Sequence, residues 1–135
     1  DDISFAVWLE QNTGFDIWIL GGSLRTKYHY TTSPFHDEFL DMVNIDKIFI
    51  TCTGITAERG VTTPDLETAL RIRDVVRASN EKIVICDSSK VGRVAFAQTM
   101  NLQDVDELIT DEGIEQEDLE AFRNLTSVTT VPVEE

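Results

Sequence analysis

The spacing of apolar positions changes several times along the chain, and each change marks an element. From Ile3 to Leu9 apolar residues, Ala6 and Val7 among them, recur mostly at helical spacing, which predicts an opening helix that ends before Thr13 and Gly14. Phe15 to Leu20 reads as a strand stopped by Gly21 and Gly22, and the polar and aromatic alternation from Leu24 to Thr31 as a second, more exposed strand. Ser33 followed by Pro34, with Asp37 and Glu38 behind them, has the form of a capped helix start running to about Val43. Ile45 to Cys52 is a buried strand, Thr53 to Thr62 a long loop holding Gly54 and Gly60, and Thr63-Pro64 a second helix start. The apolar face of that helix is Leu66, Ala69, Leu70, Ile72, Val75 and Val76, through about Ser79. Lys82 to Cys86 and Val105 to Thr110 follow as strands, then a helix over Gln116 to Leu125 and a last short strand over Val128 to Val131.

Strands that are continuous apolar runs, separated by helices, predict an α/β fold with a largely parallel sheet and helices on both faces. In such sheets ligands bind beyond the carboxyl ends of the strands. The positions that matter are then Gly21-Gly22, Thr53-Gly54, Asp87 to Lys90 and Asp111-Glu112. There is no internal repeat, low-complexity stretch or linker, and 135 residues suit one domain able to bury roughly two-thirds of its unfolded surface.

Composition narrows the possible functions. Eleven basic residues against 25 acidic ones leave a net charge of -14, which opposes binding to a phosphate backbone. Apolar runs such as Ile48 to Ile50 are far below the roughly 20 residues of a membrane span, so no membrane partner is expected. The chain opens on Asp1-Asp2 with no methionine and no basic-then-apolar leader, and it reads as a fragment of something longer. Cys52 and Cys86, the two cysteines, each lie in an apolar run; free buried thiols favour a reducing, cytoplasmic setting over a disulfide.

The turn Asp87-Ser88-Ser89-Lys90 follows a buried strand and gathers a carboxylate, two hydroxyls, an ammonium and several N–H groups. That set suits a phosphate or a polyol, although the same residues also make an ordinary strand-to-loop turn. Gly21-Gly22 allows close approach of a ligand or simply a sharp turn. No GxGxxG and no GxxxxGK[ST] occurs, so no nucleotide cofactor is expected. His36, Asp37 and Glu38 are consecutive and cannot all face one metal ion, and neither His29 nor His36 stands with a nucleophile elbow. Arg71, Arg73 and Arg77 are read as partners of Glu67, Asp74 and Glu81 along the second helix, with Glu67 close to the loop end.

Taken in order, the motifs resemble the C-terminal sensor domain of the DeoR family of sugar-metabolism repressors. They are Leu20 to Arg25 with its Gly-Gly, Val43 to Phe49, Gly54-Ile55, Gly60 to Pro64 with Glu67, Ile85 to Gly92 containing Asp87-Ser88-Ser89-Lys90, and Val105-Asp106 with Ile109 to Asp111. The resemblance implies a fold like that of ribose phosphate isomerases and coenzyme A transferases, a phosphorylated sugar as effector, and operator DNA bound only through an absent amino-terminal winged helix-turn-helix. It also implies a homo-oligomer and a sensor cut short at its amino-terminal side, without the threonine-rich loop that helps hold phosphate. Carried over, it places Asp87, Ser88, Ser89 and Lys90 at the effector, with Gly54, Glu67, Gly21 and Gly22 around it. Ser33, Thr56 and Ile72 depart from the residues common in relatives. Two rivals are a sugar-phosphate isomerase, which would need Asp87 or Glu67 as base with Lys90, and an oligomerisation module with a vestigial pocket.

Overall fold

A computed structural model describes residues 1–33 and 38–133. The predicted helix start at Pro34, with His36 and Asp37, lies outside them. Helix α1 (Ile3–Asn12) begins where Asp2 accepts the Phe5 N–H at 2.8 Å and stops at Thr13, whose N–H and hydroxyl both return to the Leu9 carbonyl. The stretch Phe15 to Leu20 is not a strand. Phe15 and Trp18 are 71% and 78% exposed, and Leu20 instead gives its carbonyl to the Thr31 hydroxyl at 2.5 Å. A strand needs a neighbour to complete its ladder, and among the described residues this segment has none. The expected exposed strand over Leu24 to Thr31 is a short hairpin, β1 (Ser23–Arg25) and β2 (Tyr30–Thr32), turned at His29, where φ is 59°. The predicted helix up to Val43 is a 3-10 turn over Glu38–Met42.

The core sheet is parallel throughout. Its strands are β3 (Ile45–Ile50), β6 (Ser79–Ile85), β8 (Glu107–Asp111) and β9 (Ser127–Val131), side by side in that order. Between β3 and β6 the chain makes an insert the sequence pattern did not foresee. Gly54–Thr56 (β4) and Gly60–Thr63 (β5) form an antiparallel hairpin where a loop was expected, and β7 (Ala97–Met100), not predicted at all, joins its edge. These strands are three or four residues long, too short for a period-two pattern to register. They are stitched from inside: the buried Thr62 hydroxyl donates to the Gly54 carbonyl and accepts from the Ala95 N–H, both at 2.9 Å.

Helix α2 (Leu66–Arg77) starts three residues beyond Thr63, which belongs to β5. The cap is Asp65, whose carboxylate accepts the Thr68 N–H at 2.9 Å and the Thr68 hydroxyl at 2.6 Å. Helix α3 (Gln116–Arg123) falls where the sequence placed it. Coverage of the sheet is uneven. Ile50, Val84 and Leu108, which register side by side on one face, are buried with Ile55, Val61 and Met100 of the small sheet and Phe122 of α3, and Ile72 and Val76 of α2 pack onto them. On the opposite face Ile83 is buried while Phe49, Ile85 and Val131 stay exposed.

Candidate functional site

Beyond the carboxyl ends of β6 and β8 the chain builds one compact turn. Asp87 caps a single 3-10 turn over Ser88–Lys90, accepting the Ser89 N–H at 3.0 Å on its side chain and the Lys90 N–H at 3.0 Å on its carbonyl. Asp111, at the end of β8, accepts the Ser88 N–H at 2.7 Å and the Gly113 N–H at 2.8 Å. The next N–H groups are engaged too, Val91 on Ser88 and Gly92 on the Ile55 carbonyl. The backbone donors that the sequence reading offered to a phosphate are therefore committed within the protein. What the turn presents outward is the Asp87 carboxylate and the Lys90 ammonium, 3.9 Å from Asp87 Oδ2, while the Ser88 and Ser89 hydroxyls lie against the Asp111 and Asp87 carboxylates.

The electrostatics follow from these bonds. Hydrogen bonding from Ser89, then the Lys90 charge, holds the Asp87 carboxyl below its ordinary range, and the Ser88 N–H, Ser88 hydroxyl and Gly113 N–H do the same for Asp111. Both are carboxylates near neutrality. Below them lie the two thiols, both free. Cys52 and Cys86 follow two residues beyond the last registered pair, Ile50 and Val84, and their mutual hydrogen bonding lowers the Cys52 pKa and, with burial, pushes Cys86 well up.

The predicted site residues fall into two groups. Gly54 belongs with the Asp87–Lys90 turn: a side chain there would meet the Arg93 backbone carbonyl, so its closeness serves the protein's own chain. Ile55 bridges to Val91 from the same strand. Gly21, Gly22 and Glu67 form the other group, around the β1–β2 hairpin. Glu67 pairs with Arg25 at 3.0 Å rather than with a helix neighbour, and the Gly21 carbonyl accepts from Arg71 Nη2 at 2.7 Å. Arg71, read from the sequence as a surface partner of Glu67, is in fact buried at 8% exposure. Arg73 reaches the Thr99 carbonyl, and Arg77 pairs with Asp74 as expected. Asp111 was legible only through its strand-end position; nothing in the pattern pointed to Arg71 or Thr32. A separate polar cleft of about 560 Å³, lined by Arg73, Lys82, Gln98, Asn101 and Asp106 among others, opens at the amino ends of β6 and β8, away from this turn.

In an open parallel α/β sheet the strand carboxyl ends, where these polar turns gather, are where a ligand would sit. Comparison with known proteins gives the class: the family described as the DeoR C-terminal sensor domain matches residues 1–112, and the chain belongs to it. It is 29% identical over 129 residues to the HTH-type transcriptional regulator YulB of Bacillus subtilis, covering 95% of this chain and 50% of the relative. It is 31% identical over 111 residues to the HTH-type transcriptional repressor GlcR of the same species, covering 82% and 43%. Against the HTH-type transcriptional regulator GlpR of Haloferax volcanii the identity is 28% over 109 residues, covering 81% and 43%. The chain spans about half the length of the curated relatives it matches or somewhat less. Among the described residues no helix is long and apolar enough to cross a membrane.

Proposed function

We propose that this DeoR-type sensor domain binds a phosphorylated sugar at the Asp87–Lys90 turn and is not a catalyst. The observation that carries this is the composition of the turn. The Asp87 carboxylate, with Asp111 next to the turn, and the oxygens of the two serines can accept hydrogen bonds from sugar hydroxyls, and the Lys90 ammonium supplies charge for the anionic end. With the N–H groups already engaged, the turn is better matched to the polyol part than to the phosphoryl group. In this reading the domain is one sensing unit of a longer cytoplasmic repressor, the effector modulates operator binding by the DNA-binding part of that protein, and the assembly is a homo-oligomer. The isomerase alternative is weakened by Glu67, whose carboxylate is held by Arg25 instead of standing free as a base.

A panel of hexose, pentose, amino-sugar and polyol phosphates, each set against its dephosphorylated counterpart, tests the reading by thermal denaturation. A true effector raises the midpoint in a saturable manner, since ligand bound to the native state stabilises it by RT ln(1 + [L]/Kd). Stabilisation by none of them removes the sensor reading for this domain, and conversion of any of them to an isomer establishes the enzymatic rival.

A further inference from the structure

Helix α2 turns one arginine inward. Arg71 is buried, its Nη2 donates to the Gly21 carbonyl, and its Nε and Nη1 are closed off from solvent without a hydrogen-bond partner. Thr32, on the adjoining strand β2, is in the same condition: it is 1% exposed and its hydroxyl has no partner. The Gly21–Gly22 turn touches both residues. Gly21 anchors Arg71, while Gly22, at φ 140°, leaves room for the Thr32 carbonyl exactly where a side chain would otherwise stand. Arg25 and Arg77 each have a carboxylate, but Arg71 has none among the described residues. A second cation lies close enough to be affected: burial first, then the Arg71 charge, lowers the pKa of the Asp1 amino group.

A guanidinium stays charged under all ordinary conditions, and burying such a charge unpaired is costly. In a chain with 25 acidic residues, the lack of a carboxylate here among the described residues is not a shortage of acids. Arg71 carries five N–H donors. Since Nη2 can give only one of its two hydrogens to Gly21, at least one complete two-donor edge, Nη2 with Nε or Nη2 with Nη1, remains available, and the buried Thr32 hydroxyl, in the residue whose carbonyl Gly22 faces, is a further unspent donor. A carboxylate has two oxygens to offer such a set; a phosphate has more, spread over a tetrahedron, and arginine forks match it well.

We propose that Arg71 and Thr32, framed by the Gly21–Gly22 turn, form an oxyanion site for phosphate, either as the inorganic ion or as the phosphoryl group of a larger ligand. The site goes beyond the effector reading, which rests on the Asp87–Lys90 turn. Because the donors are shielded, the anion enters only when the β1–β2 hairpin shifts off α2, and the half-exposed Arg25–Glu67 pair is the fastening between those two elements.

The test is the thermal midpoint of the chain titrated with inorganic phosphate at constant ionic strength, chloride making up the difference. Phosphate should raise the midpoint in a saturable way that chloride does not reproduce. In Arg71→Met that increment should vanish, while the phosphate-free midpoint holds or rises because an unpaired buried charge has gone. Thr32→Val, which loses one hydrogen bond, should weaken phosphate binding by up to about tenfold and serves as the test if the methionine variant does not fold. An equal phosphate increment in wild type and both variants, or none in wild type, overturns the site. A sugar phosphate that competes with inorganic phosphate and depends on Arg71 identifies the occupant as an effector's phosphoryl group. One that adds to saturating phosphate and depends on Lys90 alone identifies a free ion. Phosphate binding through Arg71 without any sugar-phosphate binding keeps this site and removes the effector reading.

Discussion

At the scale of single residues, Lys90 and Cys52 carry the sharpest consequences. Lys90 is the ammonium of the Asp87–Lys90 turn, and its 3.9 Å separation from Asp87 is too long for a strong pair. Lys90→Met keeps the apolar stem and removes the charge, so affinity for the sugar phosphate identified in the panel should fall by about tenfold to a hundredfold, measured by calorimetry, with little change in fold stability. Unchanged affinity would take Lys90 out of the site; a loss of roughly 0–1 kcal/mol of stability alone would make it a surface pair. The thiols differ from each other for a local reason. The interaction between the two thiols lowers the Cys52 pKa and raises that of Cys86, which is also the more buried, so alkylation at mildly alkaline pH should label Cys52 well before Cys86. Peptide mapping after brief labelling decides it, and equal labelling would mean that the thiols are not coupled.

At the scale of elements, what the sequence pattern reads well are the helices and the longer parallel strands. α2 shows why boundaries are harder. Thr63-Pro64 has the form of a cap, yet Thr63 is taken by the β5–β7 ladder, and the cap passes to Asp65. Asp65→Ala should therefore destabilise the domain by about 1 kcal/mol in urea denaturation, whereas Asp65→Asn, which keeps an acceptor at the cap, should cost less. If Thr63→Ala proves as costly through its side chain as Asp65→Ala, the cap has been misassigned.

At the scale of the whole molecule, charge dominates. A net charge of -14 makes the domain repel itself as well as DNA. The isolated chain should show no operator binding in a gel-shift assay at physiological salt, and sub-micromolar binding by it alone would contradict the polyelectrolyte argument. Acid acts in two opposed ways. Lowering the pH from neutrality toward the sequence pI of about 4.3 relieves repulsion. Asp65, Asp87 and Asp111, however, have folded-state pKa values below their ordinary ones. Their stabilisation is complete above the unfolded carboxylate pKa of about 3.9 and is lost as the pH falls through the lower folded values. The denaturation midpoint should hold or rise down to about pH 5 and drop below about pH 4, and the drop should be smaller in Asp65→Asn and Asp111→Asn. A midpoint that falls steadily from pH 7 would argue against both terms.

The sequence by itself determined the α/β class, the opening helix, α2, α3, the parallel strands and the strand-end turn at Asp87, because helical and continuous apolar patterns are local and long enough to be read. The resemblance carried by its motifs also led to the DeoR sensor family. Only the tertiary structure decided the rest. Phe15 to Leu20 has the pattern of a strand, but pairing is a property of two segments, and among the described residues no partner lies beside it. The β4, β5 and β7 strands are too short to show a period, and they exist because a local hairpin and a segment distant from it in sequence complete one another's hydrogen bonds. The same holds for the site. Donors that are free in a sequence, such as the N–H groups of Ser88 and Ser89, are spent on Asp111 and Asp87 once the chain folds, while Arg71, which looks like a surface charge on a helix, is carried inward by the turn that Gly21 and Gly22 make against it.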